Sequence, residues 1–245
     1  MKEDLKPKDI VAPDFGDSPE FPIMPLRNTV LFPQQVIPIY IGREKSLHLI
    51  RDLDQTNKYI VVVAQEDGSI EDPGKKDLYA YGTLAHVLKV FDMPDNSKSA
   101  IVQGISRVKI LDYTMEKPYY KAVVNQLDES ESGDDLELDA LANNLRQTFS
   151  DLIKIAPNLT DEHTGMLSNI QKPNRLADRA ISLMTLTNPE KQEILEELDV
   201  KVRLDKSIKT ISREMQRIKL GEEIQTEVHD EIAKTQREYY LREQL

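Results

Sequence analysis

The residues that could carry out a reaction are few and poorly spaced for one. A phosphate-cradling loop needs glycines followed by Lys and then Ser or Thr. Gly74-Lys75 is the only Gly-Lys pair, but Ser69 stands where the first glycine belongs and Lys76 where the hydroxyl belongs. The histidines, His48, His86, His163 and His229, have no second histidine four residues on, so a helical zinc site lacks its ligand pair. His86 lies inside an apolar strand pattern and reads as a packed residue. The chain has no cysteine, which excludes disulfides, thiolate metal sites and a cysteine nucleophile. No serine sits in a glycine-flanked elbow. Carboxylates are plentiful, but they fall in acidic runs that read as solvated, and no acid–base pair stands out. The expectation is no catalytic centre, no cofactor site and no metal site within these 245 residues.

Charge says where the folded parts lie. The formal net charge is −11, and most of it is local. Residues 1–20 carry −3, and residues 128–139 carry −7 with no Lys or Arg. The remainder is close to neutral and offers no broad basic face, so nucleic acid is not expected as a partner. The N-terminus has no apolar targeting segment. The longest apolar runs, such as Tyr59–Ala64, fall far short of the ~20 residues a membrane helix needs. A cytoplasmic protein is expected.

The elements follow from periodicity and punctuation. Residues 1–20, polar and broken by Pro7, Pro13 and Pro19, read as a disordered acidic tail. Residues 21–127 read as β-rich, with about six strands and one main helix. Pro22, Pro25, Pro33 and Pro38 restrict the first strands to short, bulged or edge positions. REKSLHLIRDL has helical spacing from about Arg43, and KYIVVVAQ suits a strand buried on both faces. GTLAHVLKVFDM and SAIVQGIS form a hairpin across the Pro94–Ser97 turn, and RVKILDY and YYKAVVNQL are further strands of a compact mixed or nearly closed sheet.

Residues 128–135 read as an acidic linker. Residues 136–200 read as a helical subdomain, with Leu138, Leu141, Leu145, Phe149 and Leu152 on one face, and with Asn174 and Asn188 as expected N-caps. Residues 201–245 carry no proline and hold helical spacing throughout. They form one long helix, weakened at Gly221, that either projects or packs into a bundle. The fold class expected is α+β.

Several blocks, in order, resemble the Lon protease family: FPIMPLRNTVLFPQQVIPIYIGREKS, KYIVVVAQEDGSIEDPGKKDLYAYGTLAHVLKVFDMPDN, VQGISRVKILDY, PNRLADRAISLM, KQEILEELDVKVRLDK and EIAKTQREYYLREQL. Asn28 stands where that family often has Asp, and Asn96 where it usually has Gly in the hairpin turn. The resemblance covers about 21–245. It implies a β-rich N-terminal subdomain, a helical one and a long helix, which together capture damaged or unfolded proteins and support hexamer assembly. It also implies a parent with an ATP- and Mg-dependent AAA+ module and a Ser-Lys protease dyad beyond residue 245. The chain stops inside a helical pattern with neither Gly nor Pro to end it, so a longer parent is expected. A free-standing LON-domain adaptor is the alternative, and an independent enzyme a third reading.

A receptor for unfolded chains needs exposed apolar side chains. The candidates are Leu31 and Phe32 in the proline-rich opening and Phe91 and Met93 at the hairpin. Arg43, Glu44 and Lys45, where the first helix starts, are candidates for charged substrate segments. Ordinary core packing competes for Phe32 and Phe91, and a solvated helix start for the charged cluster. The long helix is expected to self-associate within a hexamer.

Overall fold

The computed structural model describes residues 19–243 apart from 54–57 and 131, together with residues 10, 13 and 16, and side chains as far as 236. The tail expected over residues 1–20 lies almost wholly outside the described residues. The chain is α+β. Strands β1 (Glu20–Leu26), β2 (Val36–Ile41), β3 (Tyr59–Ala64), β4 (Tyr81–Asp92), β5 (Lys98–Met115) and β6 (Lys121–Gln126) make one sheet, and helix α1 (Glu44–Asp52) follows β2. The strand order is β2-β5-β4-β3-β1-β6, with β6 also paired to β5. Five strands therefore close into a ring, and β2 is a flap on one end of β5. β1 and β3 run parallel, and the other pairings are antiparallel.

The length of β5 makes this closure possible. Along one edge β5 pairs with β4, while along the other residues 98–103 pair with β2 and residues 108–115 with β6. Sequence spacing divides this stretch into two strands, and the structure joins them. The expected division falls between Ser106 and Arg107, where β5 runs on unbroken, and Gly104 within it is a point of close approach. A Cβ there would lie 2.2 Å from the Phe32 carbonyl oxygen, so only glycine lets the strand pass under the Leu31–Phe32 segment.

Alternation in β3 feeds two apolar layers. Ile60 and Val62 join Ile39, Leu49 and Val102 on the α1 side, whereas Val61 and Val63 join Phe21, Leu84 and Tyr120 on the other. That two-sided burial is why the segment is a continuous apolar run.

Helices α2 (Asp135–Ile153), α3 (Asp161–Ser168), α4 (Pro173–Leu183), α5 (Asn188–Glu196) and α6 (Val200–Glu243) follow. The Asp134 carboxylate accepts from the Glu137 N–H at 2.8 Å to start α2. Thr160 with His163 and Thr187 with Glu190 form reciprocal caps at α3 and α5. The expected caps are corrected: Lys172 and Thr187 hold the N-cap positions of α4 and α5. The two asparagines lie inside their helices, free to reach outward. The Asn188 amide donates to the Arg27 and Gln65 carbonyls, and the Asn174 amide to the Glu129 carboxylate.

The largest core crosses the boundary between the two halves. It joins Val30, Phe32 and Ala64 of the sheet region to Leu145, Phe149, Leu176, Ile181, Leu204 and Ile211 of the helices. Each such side chain removed from water contributes roughly 1.5–3 kcal/mol, so the helical neck is seated on the β-rich head through apolar contact. Helix α6 satisfies both expectations for it, in different parts. Val200, Leu204 and Ile211 are buried in the bundle, whereas Leu220, Ile224, Val228 and Ile232 are each at least half exposed. Its 44 residues span about 66 Å at 1.5 Å per residue.

Candidate functional site

Exposed apolar side chains gather where β2, β5 and β4 meet at the hairpin tip. Tyr40 is 67% exposed, Met93 41% and Val90 39%, and Phe91 is half-buried. The register explains the grouping. Ser99 of β5 faces Tyr40 on one side and Phe91 on the other, and directly opposed residues share a face. Two aromatic rings therefore lie in one row across three strands. The Lys89 ammonium sits 4.9 Å from the Phe91 ring centroid, adding a cation to the aromatic row.

The tip is held in shape by its own turn. Met93 N–H donates to Ser97 O at 3.0 Å and Asn96 N–H to Met93 O at 3.2 Å. Asn96 takes the left-handed conformation with φ 62°, the geometry that glycine or asparagine supplies most readily. The Asp95 carboxylate accepts from both the hydroxyl and the backbone N–H of Ser97, which hold its pKa below the ordinary carboxylate value. It also accepts from the Tyr40 hydroxyl at 3.1 Å. One carboxylate thus ties the aromatic of β2 to the hairpin and leaves the ring face open.

The other expected residues lie elsewhere. Leu31 and Phe32 are 2% and 0% exposed and offer no surface to a ligand. Thr83 donates its hydroxyl to Leu31 O at 2.6 Å, and Phe32 N–H donates to Gln35 Oε1 at 3.0 Å. Both residues are laid into the core by these bonds and by Gly104. The charged cluster at the start of α1 is only partly solvated. Arg43 donates to Gln65 Oε1, and Lys45 lies 2.7 Å from Asp72 Oδ1 and donates to the Tyr120 hydroxyl at 3.4 Å. Burial, with Arg27 nearby, lowers the Arg43 pKa. For Lys45 burial acts downward, but Asp72 and Tyr120 outweigh it and leave the pKa raised. Glu44 alone of the three is fully solvent-facing. The cleft beside Arg43 and Lys45 has a volume of about 10 Å³, room for one water and not for a side chain.

A second polar centre fixes the head to the neck, and it draws Glu129 out of the acidic run that was read as solvated. Glu129, from that run, accepts from Arg107 of β5 at 2.6 Å and from Arg203 of α6 at 2.7 Å. Arg107 also binds Asp178 of α4 through two parallel hydrogen bonds. Arg107 donates to Leu195 O and Arg203 to Glu197 O, both at 2.8 Å. These carbonyls end α5, where a cation opposes the helix dipole. Burial pushes the Glu129 pKa up, but the two guanidinium groups and the Asn174 amide prevail and hold it below the ordinary value. Sequence reasoning missed this centre because its members lie far apart in the chain. The available signal was Arg107 inside an apolar strand. Tyr40 was also missed, although the alternation of VIPIYI places Pro38 and Tyr40 on the face opposite Ile39 and Ile41.

Among the described residues no group of His, Asp and Glu is arranged to hold a metal ion, and no helix is long and apolar enough to cross a membrane. The family profile described as the ATP-dependent protease La (LON) substrate-binding domain matches residues 20–213. The chain is 42% identical over 233 residues to the Lon protease of Koribacter versatilis, covering 95% of this chain and 28% of that protein. It is 39% identical over 224 residues to the Lon protease of Anaeromyxobacter dehalogenans, covering 91% and 27%. The chain therefore spans just over a quarter of the length of these curated relatives. The N-terminal domain of a Mycobacterium avium complex Lon protease shares the fold, with a TM-score of 0.63 at 21% identity over 79% of this chain and 98% of that one. A Lon N-terminal domain protein from Xanthomonas campestris does so with a TM-score of 0.55 at 19% identity over 76% and 95%. With the profile running from β1 into the bundled part of α6, the chain belongs to the LON substrate-binding domain family.

Proposed function

We propose that this chain is the substrate-recognition region of an ATP-dependent serine protease that degrades misfolded, damaged and short-lived regulatory proteins in the cytoplasm. The parent carries the AAA+ module, with its ATP and Mg, and the Ser-Lys dyad outside this region. The head captures protein segments, the neck and α6 set its distance from the rest of the machine, and several copies assemble as a hexamer. The curated relatives, far longer than this chain, favour such a parent over a free-standing adaptor.

The observation that carries the capture role is the row of Tyr40 and Phe91 beside Met93. Tyr40 and Met93 are exposed beside the half-buried Phe91 on paired strands. A surface of that kind suits segments that expose apolar residues only when unfolded. Each contact is weak, so several copies acting on one chain would provide the retention.

The test is a chain carrying Tyr40→Asp and Met93→Asp, titrated against a fluorescently labelled, permanently unfolded polypeptide. Capture weaker by about tenfold or more is expected, since two apolar contacts are replaced by charge. Unchanged affinity in a variant with native circular dichroism would remove this face from the function.

A further inference from the structure

Strand β4 has a free edge beside the exposed row. β3 pairs with β4 over Thr83–His86 only, and Val87 N–H donates to Lys58 O at 2.8 Å. Beyond the bulge at Leu88, the register with β5 resumes at Lys89 and runs to Asp92. Among the described residues nothing pairs with the other side of this stretch. Met93 N–H donates to Ser97 O at 3.0 Å, and backbone direction alternates from that pair. Lys89 and Phe91 therefore point their N–H and C=O groups at β5, whereas Val90 and Asp92 point theirs at the open edge. Both of these residues are exposed. Neither is proline, so each offers a donor and an acceptor, the two residues about 7 Å apart along the strand. Two rows of side chains also end here. On one face the row is Tyr40, Ser99 and Phe91, and on the other it is Ile39, Ala100 and Val90. Ile39 and Ala100 are buried in the layer on the α1 side, but Val90, next in line, is 39% exposed. Each row thus stops on an apolar residue at the edge.

We propose that a segment of unfolded polypeptide adds to β4 as a further strand over Lys89–Asp92. Its backbone bonds to the outward groups of Val90 and Asp92. Two successive apolar side chains extend the two rows, one opposite Phe91 and the other opposite Val90. The substrate class is therefore an extended segment with adjacent apolar residues of β-branched or aromatic type and no proline. A second copy of the chain fits this edge less well. Antiparallel pairing of the edge with itself must set outward residues opposite outward residues. Centred on Phe91, it lays each Val90 against Asp92 of the second copy. Centred on Asp92, it lays carboxylate on carboxylate and brings up Pro94, which has no N–H. Centred on Val90, it meets the bulge at Leu88. A free segment has none of these constraints. This mode rests on the reading of the hairpin face as a capture surface and adds the backbone to it.

The experiment is fluorescence anisotropy with the full 245-residue chain and a labelled Thr-rich peptide that carries one Phe-Val pair at its centre and Lys at both ends. The single apolar pair fixes the register. Two further peptides carry N-methyl groups on alternate amides, one set on odd and one on even positions. An added strand turns one set toward β4 and the other toward solvent, so one methylated peptide is expected to bind at least tenfold more weakly than the other. Val90→Pro removes an outward donor and no bond to β5, and is expected to weaken the unmethylated peptide about fivefold or more in a chain with native circular dichroism. The methylated pair tests the wild-type chain and does not depend on how that variant folds. Methylated peptides that bind alike overturn the proposal, as does an unmethylated peptide that does not bind. So does a folded Val90→Pro chain that binds as wild type does. A dimer in sedimentation equilibrium that Val90→Pro dissociates would assign the edge to a second copy and overturn it too. The capture face itself fails on a different result, unchanged capture by the chain carrying Tyr40→Asp and Met93→Asp.

Discussion

Arg107 and Asp178 meet in a two-point bridge across the boundary between head and neck, Nη1 to Oδ2 at 2.9 Å and Nη2 to Oδ1 at 2.6 Å. Both side chains are almost fully buried. A fork-to-fork pair of this kind fixes direction as well as distance, so β5 and α4 have one permitted relation. Head and neck should therefore move as a unit, and α6, which leaves the neck, carries that orientation outward.

Asp178→Asn should destabilise the chain by about 3 kcal/mol, the scale of a buried ion pair that loses one partner. The amide keeps the shape but leaves Arg107 and Arg203 with Glu129 as the one remaining carboxylate in the centre. Urea denaturation gives the magnitude. Hydrogen exchange should quicken in β5 and α4 together, because the bridge joins them. A loss confined to α4 would show that the head does not depend on the pair.

The same centre sets a pH dependence. Glu129 has a lowered pKa in the folded chain, since Arg203 and Arg107 outweigh its burial. A carboxyl held down by folding contributes stability that is fully present above its unfolded value and is lost as pH falls through its folded value. Wild type should therefore lose stability relative to Glu129→Gln on acidification below about 4.5, the ordinary glutamate value. The two stability curves should converge at the acid end. Curves separated by a constant gap would mean that Glu129 is not charged in the folded state.

Phe32→Ala tests the apolar half of the junction. Phe32 is fully buried in the core that contains Phe149 and Leu204, so truncation should cost about 3–5 kcal/mol. Thermal denaturation reads this directly. A cost below about 1 kcal/mol would mean that the site collapses around the gap, and that the two halves are held by their polar bridge instead.

The strands, the hairpin, α1 and the long helix were legible because each rests on local chemistry: period-2 or period-3.6 spacing and a turn that needs asparagine or glycine. β5 was read as two strands, SAIVQGIS and RVKILDY, because one strand that pairs with β2 at one end and β6 at the other has no local signature, and only the Phe32 carbonyl above Gly104 reveals the close approach there. Leu31 and Phe32 look exposed among prolines, yet the Thr83 and Gln35 hydrogen bonds and the close approach at Gly104 lay them inward. Met93 was legible as a turn residue. Tyr40 escaped notice because its role comes from Ser99 and Phe91, 59 and 51 positions further along the chain. Glu129 belonged by composition to a solvated run, and nothing local marks the residue that two distant arginines will claim. Pairwise geometry across long sequence separations is what single-chain patterning does not encode.

Gly221→Ala should make the outer half of α6 more persistent. A Cβ at Gly221 meets nothing within 4 Å, so the substitution removes backbone freedom without a clash and should favour the helix by about 1 kcal/mol. Hydrogen exchange over residues 220–236 should slow by severalfold. If exchange there does not change, that half is already held by something other than its own propensity.

Pro38 bears on whether the proposed capture by the Tyr40–Phe91 row would be reversible. β2 pairs with β5 alone, so its other edge is open beside Tyr40. Gly104 N–H donates to Gln35 O at 2.9 Å, and backbone groups alternate direction along an antiparallel strand. Residues 37, 39 and 41 therefore point their backbone groups at β5, and 36, 38 and 40 point theirs at the open edge. Pro38 stands in the middle of that edge and contributes no N–H, an arrangement that discourages a further strand. On the proposed reading, an unfolded chain held by Tyr40 and Phe91 would lie next to this edge and would add to it if every donor were present. Pro38→Val restores the donor with a strand-favouring side chain and disturbs no core contact. It should leave the melting temperature nearly unchanged while promoting self-association and slowing release of a captured unfolded polypeptide. Light scattering and dissociation kinetics read the two effects. Pro38→Ala, with the same donor but weaker strand preference, should fall between. Release as fast as wild type from both variants would mean that the side-chain row alone governs binding and that the edge takes no part in it.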